Sequence, residues 1–419
     1  MMHDPNAPAA KTPAPESSAS DGAATPGALA ADIESRLDSL LLDIVALAEI
    51  NSGSYHPDGV NRVGDRMAEL LTDLAPDQTE RIDVPPAQVM GTDGVTRPAE
   101  LGSALRVQTR PDAPFQVCLF GHLDTVFAPD HPFQAVKVDG HHLAGPGVAD
   151  CKGGLVIASE VARAIDRAPW GSNVGWEILV VPDEEIGSNS SKPLLAAAAA
   201  RCDLGIGFEP ALPSGGIAGA RKGALTAHTL VRGLAAHAGR AHHEGRSAIL
   251  GLARLIIELE ALNEHPGVTV NTGKIAGGGA LNVVPDFAIA SYNLRVQDAE
   301  AQRWVEQRFA EVVTESRLTI ELTWTSARPP KERTAALQIL LDDVEGSARE
   351  LGLTIQAEDT GGCCDGNDLA AAGLPNVDSL GIVGGGIHST NEFADVGSIP
   401  GRTAVVLEVV RRAATRADR

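Results

Sequence analysis

The sequence predicts an α/β fold: a catalytic domain built on a mostly parallel, doubly wound sheet, with a smaller ferredoxin-like domain inserted into it. The first part rests on three short apolar runs, at 116–120, 177–181 and 204–208, each of which ends abruptly at polar residues. Short buried strands joined by helices are typical of parallel sheets. The second part rests on a change of pattern between residues 222 and 330. With 419 residues, the chain is long enough for two domains.

The start of the chain predicts a tail followed by the catalytic domain. Residues 1–28 are rich in Ala, Pro, Ser and Asp and contain no apolar stretch of signal-peptide length, so we expect a disordered tail and a cytoplasmic protein. From about Asp32 the apolar residues follow helical spacing. We expect the catalytic domain to comprise residues 29–221 and 331–419.

The inserted domain is predicted to span residues 222–330. Four strand-like segments (224–231, 268–275, 287–296 and 318–324) alternate with two helical ones (246–262 and 299–314). Their order, β-α-β-β-α-β, is that of the split βαβ sandwich. Behind this domain we expect a helix over 337–351 and a closing helix over 403–413 that follows Pro400.

Composition excludes several kinds of partner and site. The net charge is −21, which argues against nucleic acids and anionic membranes as partners. The five cysteines form no CxxC pair, so neither a disulfide framework nor a zinc-thiolate site is expected.

Polar residues follow each buried run, where an α/β enzyme places its site. His122 and Asp124 follow the first run, Glu184 and Glu185 the second, and Glu209 the third. In parallel sheets, ligands bind outside the carboxyl ends of the strands. Imidazole and carboxylate groups are ligands that zinc accepts. These residues therefore predict a metal site at one edge of the sheet.

Residue spacing indicates which role each of these side chains has within that site. His122 and Asp124 are two residues apart at a strand end, so Asp124 can hold the imidazole in its ligating tautomer. Asp150 lies in the Gly-rich turn 145–154 and is the best candidate for a carboxylate shared by two zinc ions. Of the adjacent Glu184 and Glu185, one can bind metal while the other accepts a proton from water.

Each of these patterns has a plainer interpretation when taken alone. A His-x-Asp pair is more often a surface or capping pair, adjacent glutamates usually form a solvated face, and an Asp beside glycines is usually a turn residue. The joint order of the patterns along the chain makes coincidence improbable.

Six motifs together resemble those of one known family: GHLDTV at 121–126, GVADCKGG at 147–154, DEEIGS at 183–188, FEP at 208–210, AHAG at 236–239 and GIHS at 386–389. They are similar to the successive motifs of the glutamate carboxypeptidase, acetylornithine deacetylase, succinyl-diaminopimelate desuccinylase and aminoacylase family of dizinc metallohydrolases. The resemblance extends from about residue 35 to the C-terminus.

The resemblance implies a role for each ligand. Asp150 would bridge two Zn²⁺ ions, for which Co²⁺ or Mn²⁺ are substitutes. His122 and Glu209 would complete one site, and Glu185 and His388 the other. The resemblance also implies that Glu184 is the general base, that Asp124 orients His122, and that the peptide bond after Asp150 is cis.

The resemblance assigns further residues to the substrate and to a homodimer. The inserted domain would be a lid and dimerisation domain, from which His237 reaches the partner's active site to stabilise the oxyanion. Arg328 would bind the substrate α-carboxylate, a group that suits a planar guanidinium. Asn282 and Arg295 would approach the substrate, and Arg295 could equally form an ion pair on its strand. Asp365 and Asn367 would hold their loop and line the substrate pocket.

Two features depart from the family pattern. Glutamate-releasing members carry a lysine shortly after the FEP motif, where this chain has Pro213-Ser214-Gly215-Gly216, so glutamate specificity does not follow. Cys363 and Cys364 stand where the family has small or hydroxyl residues. We expect them to line the pocket rather than to bind metal.

The function implied is zinc-dependent hydrolysis of an amide bond next to a free carboxylate, of the carboxypeptidase type. The alternatives are an N-acyl-amino-acid deacylase, similar to acetylornithine deacetylase or aminoacylase, and a dipeptidase. From a different class, a metal-free binding or regulatory relative is the remaining alternative, and the presence of all five ligands and Glu184 argues against it.

Overall fold

The structure, a computed structural model, describes residues 26–316 and 319–417. Most of the predicted tail, 1–25, lies outside the described residues. The remaining part, 26–28, is not a tail, because a helix begins at Pro26 and buries Leu29 and Ile33. Proline is favoured in the first helical turn because its φ is already helical and it has no N–H that needs a partner. The catalytic domain therefore begins before the predicted boundary at residue 29.

The helices of this part of the chain are α1 (Pro26–Glu34), α2 (Leu37–Ala48), α3 (Pro57–Leu70), α4 (Gly154–Arg167), α5 (Lys192–Arg201), α6 (Ala248–Glu260), α7 (Ala299–Glu315), α8 (Ala335–Glu350), α9 (Asp365–Ala371) and α10 (Ile399–Ala417). The strands are β1 (Gln78–Ile82), β2 (Ala87–Met90), β3 (Thr96–Ala99), β4 (Ala104–Thr109), β5 (Phe115–His122), β6 (Lys137–Asp139), β7 (His142–Ala144), β8 (Val174–Val181), β9 (Leu204–Gly207), β10 (Ile217–Arg221), β11 (Gly223–Arg232), β12 (Val268–Gly277), β13 (Phe287–Val296), β14 (Thr319–Arg328), β15 (Ala357–Thr360), β16 (Asn376–Val377), β17 (Val383–Gly385) and β18 (Phe393–Asp395).

The central sheet has the order β1-β4-β8-β5-β9-β16. The pairings β8–β5, β5–β9 and β9–β16 are parallel, whereas β1–β4 and β4–β8 are antiparallel. The sheet is thus mixed, where a mostly parallel one was predicted. The prediction rested on the apolar runs that became β5, β8 and β9. The antiparallel edge strand β1 has an exposed, polar sequence and carried no such signal.

Helices cover both faces of this sheet. Along β5, Val117 and Leu119 pack into a core with α2, α4, α8 and α10, while Cys118 and Phe120 pack into a second core with α5 and α9. Successive side chains of a strand point to opposite faces, so a strand buried on both sides reads as a continuous apolar run. This burial explains why β5 and β8 were recognisable from the sequence.

A second, four-stranded sheet has the order β12-β13-β11-β14 and is entirely antiparallel. It packs with α6 and α7 around a separate core. The order of its elements along the chain, β-α-β-β-α-β, is the one expected for residues 222–330.

Side chains alternate between the two faces of this sheet, and this alternation determines which residues face the catalytic domain. On β13, Tyr292 and Leu294 point into the core beneath α6 and α7, so Asn293 and Arg295 point the other way. Asn293 and Arg295 line the cavity in front of the central sheet, together with Thr226 of β11. The polar face of the inserted sheet is therefore one wall of the candidate site.

The closing helix is longer than predicted. It begins at Ile399 and contains Pro400, whereas the sequence had placed Pro400 ahead of the helix. A proline in the first turn breaks no intrahelical hydrogen bond, which is why the helix can include it. Across residues 26–316 and 319–417, no helix combines the length and apolarity needed to span a membrane.

Candidate metal centre

The polar segments after β5, β8 and β9 meet at one edge of the central sheet. The three strands are parallel neighbours, so their carboxyl ends lie side by side. His122 is the last residue of β5, Glu184 and Glu185 follow β8, and Glu209 follows β9. The structure thus brings together the side chains that the sequence had placed at successive strand ends.

Asp150 approaches this edge from a tight turn ahead of α4. The backbone leaves helical geometry at Asp150 and Cys151, and the peptide bond between them is cis, as the family resemblance implied. The turn packs closely on β9, because a Cβ atom at Gly154 would lie 2.0 Å from the carbonyl oxygen of Phe208. Glycine at position 154 therefore allows the Asp150 turn to approach the strand that leads to Glu209.

Asp150 lies between two histidines. Its Oδ1 is 3.0 Å from Nε2 of His122, and its Oδ2 is 3.2 Å from Nε2 of His388. His388 Nε2 is also 3.1 Å from Oε2 of Glu185. Two ligand atoms bound to one zinc ion at about 2.1 Å lie about 3.0 to 3.4 Å apart for bond angles near 90° to 109°. These separations are therefore compatible with shared metal ions on either side of Asp150.

The electrostatics of the cluster also fit a cation. Ligand atoms of His122, Asp150 and Glu185 all lie within 4.8 Å of one another. Burial raises the pKa of Glu185 to about 8, and the negative charge of Asp150 adds to the rise. Burial likewise raises the pKa of Glu209, whose Oε1 is buried without a hydrogen-bond partner in the described residues. A divalent cation would satisfy this oxygen and neutralise the crowded carboxylates.

Asp124 supports the cluster in a different way from the one expected. The Nδ1 atom of His122 is 2.9 Å from the backbone oxygen of Asp124 and 3.4 Å from its carboxylate. The carboxylate instead accepts hydrogen bonds from the amides of Glu184 (3.1 Å) and Glu185 (3.2 Å) and from the Ser54 hydroxyl (2.6 Å). Asp124 therefore orients His122 through its main chain, while its side chain positions the two glutamates.

A cavity of about 560 Å³ opens in front of this cluster, between the central and the inserted sheets. Its charged lining comprises the metal-site residues Asp150, Glu185, Glu209 and His388, the carboxylate of Glu184, and the guanidinium groups of Arg221, Arg295 and Arg328. The size falls within the range of small-molecule sites, about 300 to 1,000 Å³.

Arg328, which the family resemblance assigned to the substrate carboxylate, lines the cavity and contacts three carboxylates of the protein. Its Nη1 donates to Glu184 Oε1 at 2.6 Å, its Nη2 is 3.0 Å from Asp365 Oδ1, and its Nε is 3.0 Å from Asp368 Oδ2. The side chain is only 3% exposed. Arg328 therefore lies in a buried ion-pair network that includes Glu184, and each of its three nitrogen atoms contacts a carboxylate of the protein.

Arg295 differs from the other two arginines of the cavity. Arg221 pairs with the buried Asp378, and Arg328 with its three carboxylates. Within the described residues, Arg295 has no carboxylate partner; it contacts the Asn293 side chain (3.2 Å) and the Cys363 thiol (3.1 Å). Among the described residues, its positive charge is therefore not paired with a carboxylate and can bind an anionic group of a ligand. The alternative expectation, an ion pair between Arg295 and a neighbour on its strand, is not observed.

Asp365 and Asn367 do not line the cavity, contrary to expectation, because both are fully buried behind it. Asp365 accepts hydrogen bonds from Ser188 and Arg328. Asn367 donates to the backbone oxygens of Lys222 (3.1 Å) and Pro329 (2.8 Å), the two segments that connect the inserted domain. They hold the loop, as predicted, and Asn367 also fastens the interdomain connection.

Of the two cysteines expected to line the pocket, Cys363 does so and Cys364 does not. Cys364 is buried at the start of α9, where its amide donates to Oδ1 of Asn367 at 3.1 Å.

His237 and Asn282 lie outside this cavity, exposed on neighbouring loops of the inserted domain. A hydrogen bond of 2.9 Å from the Ala238 amide to the backbone oxygen of Asn282 joins the two loops. The Nδ1 atom of His237 accepts from the amides of Gly239 and Arg240 at 3.1 and 3.2 Å. A single chain therefore does not bring these two residues to its own metal cluster.

Glu392 is a buried residue that the sequence analysis missed. Its carboxylate accepts hydrogen bonds of 3.0 Å from the amides of Gly147, Ala149 and Asp150. It lies four positions after His388, so it connects the two segments that flank the shared metal position. A signal was present in the acidic residue three positions after the GIHS motif, but one glutamate in a polar segment does not reveal main-chain partners that lie 242 to 245 residues away in the sequence.

Comparisons with known proteins agree with this geometry. The family model described as peptidase family M20/M25/M40 matches residues 118–412. Carboxypeptidase G2 of Pseudomonas sp. (strain RS-16) is 26% identical over 303 residues, which cover 70% of this chain and 72% of that protein. Succinyl-diaminopimelate desuccinylase of Pseudomonas syringae pv. syringae (strain B728a) is 30% identical over 303 residues, which cover 66% and 76%.

Solved structures share the fold. An M20-family metallo-carboxypeptidase from Sulfolobus solfataricus superposes with a TM-score of 0.71 at 16% sequence identity. The match covers 90% of this chain and 100% of that one.

Proposed function

This chain belongs to peptidase family M20/M25/M40 and is a metal-dependent amide-bond hydrolase, and from that premise we propose that it uses two zinc ions to release C-terminal amino acids from N-acyl or peptidyl amino acids. The observation that carries the proposal is the position of Asp150. Its two carboxylate oxygens are each within 3.2 Å of a different histidine, at the mouth of a cavity that contains Arg295.

We assign His122, Glu209 and Asp150 to one ion, and Glu185, His388 and Asp150 to the other. Bound there, two divalent ions would supply a Lewis acid for the carbonyl oxygen and lower the pKa of water. Co²⁺ and Mn²⁺ offer the same chemistry with these nitrogen and oxygen ligands.

Glu184 is the proposed general base and acid. Arg328 engages Oε1 of Glu184, and we assign Oε2 the task of taking a proton from the attacking water and passing it to the leaving amine. The Asp124 carboxylate accepts from the Glu184 amide and so fixes the main chain that carries this glutamate.

Arg295 is the proposed binding group for the free carboxylate of the substrate. It lies on the polar face of the inserted sheet, opposite the metal cluster, and lacks a carboxylate partner among the described residues. An arginine in a partly desolvated cavity binds a carboxylate by charge-assisted hydrogen bonds.

The cavity favours an acylated amine over a free one. A dipeptidase must hold the substrate's terminal ammonium, usually with a carboxylate. The carboxylates that line this cavity are Asp150, Glu184, Glu185 and Glu209, all already engaged by the proposed metals or by Arg328. An N-acyl-amino-acid deacylase is therefore the better-supported alternative within the same chemistry, and a dipeptidase is disfavoured.

We propose that the inserted domain is a lid and that it forms a homodimer in which His237 stabilises the oxyanion in the partner's site. Two observations support this. His237 and Asn282 lie outside the cavity of their own chain, and the adjacent Leu281 is 101% exposed. A fully exposed leucine beside two functional side chains suggests a contact surface. The cytoplasmic location stays a prediction.

The test is hydrolysis of a panel of N-acyl amino acids and dipeptides by protein loaded with Zn²⁺, Co²⁺ or Mn²⁺. We expect release of the C-terminal amino acid, and a rate that falls when the free carboxylate is converted to a methyl ester. In Glu184→Gln, kcat should fall by at least about 100-fold while the zinc content is unchanged. The exposed Glu321→Gln serves as control. Near-normal turnover of zinc-loaded Glu184→Gln would overturn the assignment.

A further inference from the structure

A second cavity, of about 510 Å³, adjoins the metal-site cavity. The two share three lining residues, Ile186, Thr226 and Ser326. Ile186 directly follows the proposed ligand Glu185, so the second cavity begins next to the metal cluster. A group attached to the scissile carbonyl could extend into it past Ile186.

The outer wall of this second cavity is the β2–β3 hairpin. Pro85, Pro86, Val89 and Met90 line it from this side. The tip of the hairpin touches the inserted sheet, because a Cβ atom at Gly94 would lie 2.1 Å from Cδ1 of Leu230. The hairpin therefore spans from the catalytic domain to the inserted domain and closes the cavity.

The opposite wall combines the apolar side chains of Ile186 and Pro193 and the Tyr55 ring with polar side chains, most of them uncharged amides and hydroxyls. No lysine or arginine is among the described residues that line this cavity. Its charges therefore differ from those of the metal-site cavity, which holds three arginines.

Asp183 and His228, which line the second cavity, already have hydrogen-bond partners within the protein. Asp183 accepts hydrogen bonds from the Ser190 amide (3.0 Å) and from the Ser191 hydroxyl. The His228 ring nitrogens are each 2.9 Å from a hydroxyl, that of Ser291 and that of Thr325. An anionic ligand would lose its hydration here without gaining a cation, so the cavity suits an uncharged group.

We propose that this second cavity binds the acyl part of the substrate, and that it selects bulky, uncharged acyl groups, aliphatic or aromatic. The inference rests on the proposed function, because it takes the scissile carbonyl to lie at the metal cluster. The cavity falls within the size range of ligand sites, about 300 to 1,000 Å³. The carboxylated part of the substrate would then lie beside Arg295, and the acyl part beneath the β2–β3 hairpin.

The length of the acyl chain determines the expected size of the effect on kcat/KM. Each buried methylene group favours binding by about a factor of four. A hexanoyl group, with four more methylenes than acetyl, should therefore raise kcat/KM by about 100-fold if most of it is buried. A succinyl group, whose terminal carboxylate meets no cation, should be hydrolysed more slowly than hexanoyl.

The experiment compares N-acetyl, N-hexanoyl, N-benzoyl and N-succinyl derivatives of one amino acid. Val89→Asp places a charge in the cavity, and Val89→Trp fills it. Both should lower kcat/KM for the hexanoyl and benzoyl derivatives at least about 10-fold, and leave the acetyl derivative unchanged. Val95→Asp is the matched control, because Val95 lies in the same hairpin, is 49% exposed and is not part of the cavity lining.

The outcomes separate this inference from the function on which it rests. If acetyl and hexanoyl derivatives are hydrolysed equally well, if succinyl is preferred, or if the Val89 variants slow all derivatives alike, the acyl site is refuted while amide hydrolysis stands. If zinc-loaded wild-type protein hydrolyses none of the derivatives, the proposed function fails, and the acyl site with it.

Discussion

Glu392 binds no substrate and no metal in the proposed site, yet it holds the Asp150 turn by three amide hydrogen bonds. In Glu392→Gln one acceptor oxygen becomes an NH₂ donor that faces amide donors, so the turn should lose its fixed position. We expect zinc affinity, measured calorimetrically, to fall about 10- to 100-fold. The substitution should change the melting temperature of the metal-free protein by much less than zinc binding raises the melting temperature of the wild-type protein.

Glu408→Gln is the matched control for this change. Glu408 is also buried, and its carboxylate likewise accepts three hydrogen bonds, but from the side chains of Arg411 and Arg412 on α10, away from the metal cluster. Its substitution should affect stability and not zinc affinity. Equal zinc affinity in Glu392→Gln and wild-type protein would refute the positioning role.

At the residue scale, the sequence was informative where the type of side chain itself determines the chemistry, as it does for metal ligands. His122, Asp150 and Glu185 come together as their spacing and the family motifs indicated. The carboxylate of Glu392 accepts from backbone amides, and that of Asp124 accepts from two amides besides the Ser54 hydroxyl. Every residue type except proline has a backbone N–H, so no sequence pattern marks these bonds. The ion pairs of Arg328 likewise depend on contacts between segments about 40 and 140 residues apart.

At the element scale, the inserted domain offers a sharp test of the proposed dimer. Purified heterodimers of Glu184→Gln and His237→Ala chains contain one site with both substitutions and one site with neither, if His237 acts on the partner. Such heterodimers should recover about half of the wild-type rate, because a twofold dimer has two equivalent sites. Each homodimeric variant should be nearly inactive.

The opposite result is equally clear. If His237 served its own chain, both sites of the heterodimer would carry one substitution, and the activity would stay at the level of the single variants. Elution of the wild-type chain as a monomer in size-exclusion chromatography would also argue against a site that uses His237 of the partner subunit.

Strongly buried elements were the predictable ones. The strands β5, β8 and β9 are buried along their whole length, and their apolar runs located them within a few residues. The β2–β3 hairpin is mostly half-buried or exposed and was not foreseen, because its packing partner is the distant inserted sheet. Pro400 was misplaced since proline ends helices in their interior but is compatible with their first turn.

At the scale of the whole molecule, the site is made by two bodies that face each other. The central sheet supplies the proposed metal ligands, and the inserted sheet supplies Arg295 and Thr226. The sequence indicated both bodies, but not the cavity between them or the second cavity behind Ile186. Those spaces depend on the relative placement of two separate cores, which local periodicity does not encode.

The most direct test of the two-zinc site is a crystal structure of the zinc-loaded protein with anomalous data at the zinc edge. We expect two anomalous peaks about 3.5 to 4 Å apart on either side of the Asp150 carboxylate, one beside His122 and Glu209 and the other beside Glu185 and His388. A single peak, or zinc bound away from Asp150, would contradict the two-ion site.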